Sequence, residues 1–322
     1  MFLRTADDEY RTLFGQKTYK VSLRLREGTT CPNRDGVKGK GGCAFCTGSG
    51  EYAEPPAPLG IQLEKAIGRI RSKLPEGGDP CRFIAYYQDH TNTYAPFAVL
   101  RESFTAAVCH PLVCGLSVGT RPDCLPENVL SLLGALAKEK PVWVELGLQT
   151  ANEETAAAFG RGYPNAVYEE SAFRLRRAGI RVVTHLILGL PGETTETMTD
   201  TVRYVNGKTD GVKFHMLHVL RNTPYAERYK EGLLSAYALP EYIEDLSACV
   251  RALSPDVFIH RLTGDGPKKD LIAPLWSGDK KHVLNAVHRA FREADLVQGS
   301  DLREQPAQNG GAKEGNLGAS PS

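Results

Sequence analysis

No apolar run in this 322-residue sequence is long enough to cross a bilayer, so no membrane-spanning helix is expected. The N-terminus, Met-Phe-Leu-Arg-Thr-Ala-Asp-Asp-Glu, lacks an apolar signal region, which argues against export. Net charge is scarce too. Against 39 Lys and Arg stand 38 Asp and Glu, a formal +1, so bulk charge does not call for a nucleic-acid partner. No internal repeat of short period and no familiar RNA-binding module is present. These absences lead to the expectation of a cytoplasmic protein without a membrane partner. In that reducing compartment, grouped cysteines signal metal or catalysis rather than disulfides. Of the eight cysteines, Cys81, Cys109, Cys114, Cys124 and Cys249 are spaced without ligand logic. They read as ordinary buried or surface residues.

The other three are grouped, and the group lacks a fourth member. They lie in Cys31-Pro-Asn-Arg-Asp-Gly-Val-Lys-Gly-Lys-Gly-Gly-Cys43-Ala-Phe-Cys46. Three thiolates can hold three irons of a cubane and leave the fourth iron open to a ligand, which a four-cysteine site cannot do. Gly28, Gly36, Gly39, Gly41 and Gly42 let the loop wrap closely round a bulky inorganic core. Charge is uneven around it. Between Lys17 and Lys40 lie Lys17, Lys20, Arg24, Arg26, Arg34, Lys38 and Lys40, against Glu27 and Asp35. This basic stretch reads either as a solvated surface or as an approach for an anionic substrate or cofactor.

Apolar, β-branched runs alternate with helical patterns. Strands are expected at Lys20–Arg26, Arg82–Gln88, Leu112–Gly119, Val142–Gln149, Arg181–Leu190 and Gly211–Val219. Helices are expected near Leu59–Leu74, Pro96–Val108, Pro126–Lys138, Tyr168–Ala178 and Thr194–Val205. Such alternation implies a parallel sheet covered by helices. Period-two patterning then separates two faces. Val144, Leu146 and Leu148 oppose Glu145, Gly147 and Gln149. Leu186 and Leu188 oppose His185, Ile187 and Gly189. Phe214 and Met216 oppose Lys213 and His215. Leu112, Cys114, Leu116 and Val118 oppose Gly115, Ser117 and Gly119, while Tyr86 and Gln88 share one face. A sheet buried only for stability would be continuously apolar. Polar and glycine positions on a common face point to a cavity for a polar ligand. The expected architecture is α/β, a partial (β/α)6 TIM-type barrel over residues 1–236. A small, mainly helical extension follows over 237–298, with helices around Pro240–Leu253 and Lys280–Ala294. From Gly299 the chain is polar, glycine-rich and aperiodic, the composition of a disordered tail over 299–322.

On these features the chain resembles the radical S-adenosylmethionine (SAM) superfamily. Within it, the chain is similar to the YhcC/YtqA-like family, related to the radical domain of the elongator catalytic subunit. The likeness is carried by Cys31-Pro-Asn-Arg-Asp-Gly, Gly41-Gly-Cys-Ala-Phe-Cys46, Tyr87-Gln-Asp-His-Thr-Asn-Thr-Tyr94, Ser117-Val-Gly-Thr-Arg-Pro-Asp123, Glu145-Leu-Gly-Leu-Gln149, Gly189-Leu-Pro-Gly-Glu193 and Thr263-Gly-Asp265. Eleven residues separate Cys31 from Cys43, where three is the commoner superfamily spacing; the long form fits the elongator-like branch.

The resemblance implies an enzyme in which Cys31, Cys43 and Cys46 ligate a [4Fe–4S] cluster whose open iron takes SAM. Phe45 would pack near the adenine, Glu145 and Gln149 would meet the ribose hydroxyls, and Gly189 would let backbone approach the adenine edge. Arg121 would meet the cofactor carboxylate or a substrate phosphate. His185 and His215 are the candidates for catalysis. The implied substrate is the wobble uridine of transfer RNA. The implied electron donor is a protein such as flavodoxin or ferredoxin. The acetyltransferase domain of the elongator subunit has no counterpart here, so acetyl chemistry is not expected. Two alternatives remain at this level: a radical SAM enzyme on a small metabolite of porphyrin-precursor type, and a non-enzymatic, zinc-stabilised RNA-binding module.

Overall fold

A computed structural model describes residues 1–25, 29–48, 57–72, 82–264 and 266–303. The ends of the expected first strand and first helix, Cys81, Asp265 and residues 304–322 lie outside the described residues. Strand–helix alternation produces nine strands among those described: β1 (Tyr19–Leu23), β2 (Phe83–Tyr87), β3 (Val113–Thr120), β4 (Val142–Gln149), β5 (Arg181–Leu188), β6 (Gly211–Met216), β7 (Val219–Leu220), β8 (Phe258–Arg261) and β9 (Leu271–Ala273). Seven form one sheet in the order β1-β2-β3-β4-β5-β6-β8, parallel throughout.

The sheet curls. On a flat sheet β2 and β6, four strands apart, would be separated by ~19 Å. Yet Lys213 Nζ on β6 donates to the Tyr86 hydroxyl on β2 at 3.0 Å. Only a half-barrel brings the polar faces together in this way. The outer face does the apolar packing. Val144, Leu146, Leu148, Leu186, Leu188, Phe214 and Met216 join one buried core with residues of the covering helices, among them Leu100, Leu133, Leu175 and Val202. Those helices are Leu59–Arg71, Phe97–Cys109, Glu127–Ala137, Asn165–Arg177 and Thr195–Val205. The last begins in a capping box, with Thr194 accepting from the Thr197 amide, a pattern that fixes a helix start. The α/β half-barrel expected from the sequence is therefore present.

Several details depart from the sequence reading. Cys114 was placed on the apolar outer face. The β2–β3 register passes from Phe83↔Val113 to Ile84↔Gly115, and Cys114 packs inside with Tyr10, Ile84, Trp143 and Val183. A residue left over at such a bulge no longer follows the alternation. The run expected as one strand over Gly211–Val219 splits, because β7 leaves the sheet to pair antiparallel with β9. Residues 237–298 contain the two expected helices, at Leu239–Ala252 and Lys280–Glu293, but also supply β8, the seventh strand of the barrel. The tail was expected to start at Gly299. Instead Gly299 donates to the Val250 carbonyl at 3.2 Å and Ser300–Arg303 is helical. A Cβ at Gly299 would lie 2.7 Å from Pro255 Cδ, so this docking needs glycine.

An N-terminal helix, Ala6–Phe14, was not anticipated. Thr5 and Asp8 cap it reciprocally and Gly15 ends it at φ 71°. It seals the base of the barrel. The Trp143 indole donates to Glu9 at 3.1 Å, Arg181 pairs with Glu9 at 3.3 Å, and the Tyr10 ring meets Trp143 edge-on at 5.5 Å.

Candidate functional site

The site lies at the C-terminal ends of the barrel strands, where β/α barrels place their chemistry. A cavity of about 410 Å³ there is lined by Cys31, Cys43, Phe45, Cys46, Arg121, Glu145, Gln149 and His185, by Arg34 of the basic stretch, and by residues the sequence did not single out, notably Arg161, Tyr163 and His218. A larger groove of about 910 Å³ runs along the outer side of the cysteine loop past Pro32, Pro96 and Pro122. It contains none of the three cysteines, so size does not identify the site.

The cysteine loop is held on three sides. The Ala44 amide donates to the Phe159 carbonyl at 2.9 Å and its carbonyl accepts from the Tyr225 amide at 3.1 Å. Asn33 Nδ2 donates to the Gly160 carbonyl at 2.6 Å. Arg34 crosses the loop and donates to the Cys46 carbonyl at 2.5 Å. A Cβ at Gly48 would lie 2.2 Å from Arg34 Cζ, and one at Gly42 2.9 Å from Arg34 Nε. Both glycines sit at positive φ, 69° at Gly48 and 95° at Gly42, which favours glycine and leaves the guanidinium room to lie across them.

All three thiols are free and partly exposed. Burial pushes the Cys43 thiol up to about 11, against the opposing pull of the Asn33 hydrogen bond. Among the described residues, no three His, Cys, Asp or Glu side chains converge on a single-ion site. The thiolates of a cubane each bind their own iron and need not meet at a point. Soft sulfur donors on a glycine-rich loop, sharing one cavity, fit an iron–sulfur cluster.

Beneath the loop, the inward polar face forms one network centred on Glu145. Its Oε1 accepts from Lys20 at 2.6 Å and from Ser117 at 2.8 Å. Its Oε2 accepts from Tyr86 at 2.7 Å, from His185 Nε2 at 2.7 Å, and from Lys213. A carboxylate only accepts, so His185 carries its hydrogen on Nε2. Burial alone would raise the Glu145 pKa, but Lys20 and Lys213 hold it well below the usual carboxylate range. The two lysines respond in opposite directions. Burial pushes Lys213 down to about 7, with Lys20 adding like-charge repulsion. Lys20 is raised, because Glu145 outweighs its burial. Lys20 is thus the counter-ion, and Lys213 the group driven toward neutrality. Burial also pushes His185 down to about 4.

The structure brings together Cys31, Cys43, Cys46, Phe45, Arg121, Glu145, Gln149 and His185. Phe45 packs against Phe159 with ring centroids 5.2 Å apart. Gln149 sits at φ 66°, and with its amide assigned in the orientation that satisfies both groups, the nitrogen donates to the Gly147 and Leu148 carbonyls at 3.0 and 2.9 Å. Glu145, expected to meet ribose hydroxyls, has both oxygens occupied by protein donors. Arg121, expected to meet a carboxylate or phosphate, is bound in a fork to Asp123, with both N–O distances 2.9 Å. Gly189 falls outside the cavity: a Cβ there would lie 2.2 Å from the Tyr237 ring. His215 stacks on His185 at 5.3 Å but does not line the cavity.

The basic stretch also resolves into individual partners. Lys20 turns inward, Arg24 pairs with Asp89 at 2.8 Å, and Lys38 pairs with Asp123 at 3.1 Å. In the segment His90–Tyr94, His90 and Thr91 line the cavity. Asn92 instead serves the turn, donating to the Tyr87 and Gly119 carbonyls at 3.1 and 2.9 Å.

Arg161 is the main residue that sequence reading missed. It is 1% exposed and donates to the carbonyls of Tyr163, Thr150 and Leu148 at 2.9, 2.7 and 3.3 Å, and to Glu153 at 2.7 Å. Its neighbours Gly160 and Gly162 both sit at positive φ and form the turn that carries it.

The family profile described as "Radical SAM superfamily" matches residues 30–205. That described as "Radical_SAM C-terminal domain" matches 209–293. The uncharacterized protein YtqA of Bacillus subtilis is 38% identical over 92% of this chain and 91% of its own length. Protein YhcC of Escherichia coli K12 is 36% identical over 90% and 92%, respectively. Among solved structures, the archaeal Methanocaldococcus infernus Elp3 superposes with a TM-score of 0.64 at 17% identity, over 87% of this chain and 65% of that one. This last likeness is one of fold.

Proposed function

Because the chain belongs to the radical SAM superfamily, we propose that Cys31, Cys43 and Cys46 hold its cluster and that it abstracts a hydrogen atom from a side chain on the wobble uridine of transfer RNA. It is a radical SAM enzyme, and its cofactors are a [4Fe–4S] cluster and SAM. When bound, this pair supplies reductive cleavage of the sulfonium C–S bond and a 5′-deoxyadenosyl radical.

The protein's part is position and exclusion of water. One observation carries this reading: three thiols and a polar-floored cavity share the same end of the half-barrel. Phe45, wedged on Phe159, offers an apolar face for a purine. Gln149, at the end of β4 with its amide nitrogen already bonded, offers its amide oxygen as acceptor to a ribose hydroxyl, a role that Glu145 is too fully engaged to share. The network under the cavity fixes the floor, so a substrate entering from above meets side chains already oriented.

The RNA substrate rests on the resemblance of the sequence motifs to the elongator branch, and the superposition on the archaeal protein supports a shared fold alone. The basic stretch lends it less support than its composition suggests, since Lys20, Arg24, Arg34 and Lys38 have partners within the chain. A one-electron donor such as flavodoxin or ferredoxin would reach the cluster from the loop side. No helix among the described residues is long and apolar enough to cross a membrane.

Anaerobic reconstitution with SAM and dithionite, followed by 5′-deoxyadenosine release, tests the chemistry. Transfer RNA from a strain lacking the gene should accelerate that release, and transfer RNA from the parent strain should not. Equal rates with both, together with an unchanged wobble-nucleoside profile by mass spectrometry in the deletion strain, would remove the RNA substrate while leaving the radical chemistry intact.

A further inference from the structure

Among the described residues, a buried side-chain amide is aimed at the sulfur of Cys43. Asn33 is 3% exposed. Its Nδ2 lies 3.4 Å from Cys43 Sγ, 2.6 Å from the Gly160 carbonyl and 3.3 Å from the Arg161 carbonyl. An amide nitrogen has two hydrogens. One is taken by the short bond to Gly160, and the other lies between the sulfur and Arg161.

The placement is enforced. The Asn33 carbonyl accepts from the Gly42 amide at 2.9 Å, so its backbone is fixed beside Cys43. A Cβ at Gly162 would lie 2.8 Å from Asn33 Oδ1, so the turn after Arg161 has only a hydrogen where the Asn33 side chain needs room. Arg161, bonded to three carbonyls, holds that turn in place.

We propose that Asn33 is a positioning residue for the iron–sulfur centre: its amide donates to the Cys43 sulfur, fixes that ligand against the Phe159–Gly162 turn and raises the reduction potential of the cluster. A hydrogen-bond donor on a ligating sulfur favours the reduced, more negative state of the cluster, and removing it lowers the potential. This inference rests on Cys31, Cys43 and Cys46 being the ligand set, and the tests keep the two apart. Iron content decides the ligand set: anaerobically reconstituted wild-type protein should carry about four irons per chain, and Cys43→Ala should lose most of them.

Asn33 is decided by two further measurements. The first uses wild-type protein carrying side-chain-15N asparagine. Its dithionite-reduced cluster should show a 15N hyperfine coupling in pulsed electron paramagnetic resonance, transmitted through the hydrogen bond from the amide to the ligand sulfur. No such coupling would overturn the proposal, and this measurement needs no variant to fold. The second compares midpoint potentials of wild type, Asn33→Ala and Asn33→Asp at equal iron content. Both variants should titrate at a lower potential, and Asn33→Asp should lie lowest because it replaces a donor by an anion. Potentials equal to wild type would overturn it, whatever happened to turnover.

Discussion

Replacing Glu145 by glutamine changes one atom at the centre of the barrel. Five donors converge on that carboxylate: Lys20 and Ser117 on one oxygen, Tyr86, His185 and Lys213 on the other. A glutamine amide must turn its NH2 toward one of these groups, placing donor against donor in either orientation. It also removes the one negative charge that Lys20 and Lys213 share. Breaking a buried ion pair by removing one partner costs ~3–5 kcal/mol, because the remaining charge is left uncompensated. Glu145→Gln is expected to lose about that much at pH 7, read as a shift in the urea midpoint of the anaerobic protein with its slope unchanged. Lys213 is the lysine already driven toward neutrality, so Lys213→Met in the Glu145→Gln background should recover ~2 kcal/mol, a coupling of the size found for residues in one network. A loss below ~1 kcal/mol, typical of an ordinary surface change, would refute the account, as would a double variant no more stable than the single one. Weakened SAM binding at unchanged stability would return Glu145 to the role of a ribose ligand.

Other consequences follow from the same geometry. Arg161→Ala strands the Leu148, Thr150 and Tyr163 carbonyls and should cost ~3 kcal/mol by thermal or chemical unfolding. Arg161→Lys should restore less than half of this, since an ammonium lacks the planar fork. Gly189→Ala, at φ 79° with Tyr237 in the way, should destabilise by ~1–3 kcal/mol. Gly192→Ala, also at positive φ but with open space around it, should cost less. The folded His185 resists protonation down to about pH 4, while the unfolded imidazole titrates near pH ~6.5. Between those values the unfolded chain binds the extra proton, so stability should fall as pH falls, by up to ~1.4 kcal/mol per unit for this group. A urea-midpoint series over that range should be shallower for His185→Gln, and an identical slope would contradict the assignment.

Much of the barrel was legible because period-two alternation is a strong signal when one face of a strand is apolar and the other is not. Glu145, His185, Lys213, Ser117 and Tyr86 were all assigned to the inner face, where they meet. Their mutual partners were not legible. Pairing β1 with β4 and β6 through Lys20, Glu145 and Lys213 depends on how tightly the sheet curls, which no local pattern encodes. The basic stretch stayed open between two readings for a related reason: Lys20, on an inward strand face, looks the same in sequence as a lysine facing solvent. Cys114 was misplaced because the bulge at the start of β3 breaks the alternation there, while Leu116 and Val118 beyond it keep to the outer face. β8 escaped notice because four residues carry too little pattern, and Arg161 because its place in the site is set by tertiary bonds to three carbonyls rather than by a motif.

The helix that closes the base of the barrel, through Glu9 and Tyr10 against Trp143 and Arg181, ties the first turns of the chain to the roots of β4 and β5. Trimming the chain at its N-terminus would therefore strip a cover from beneath the Glu145 network rather than shorten a loose end.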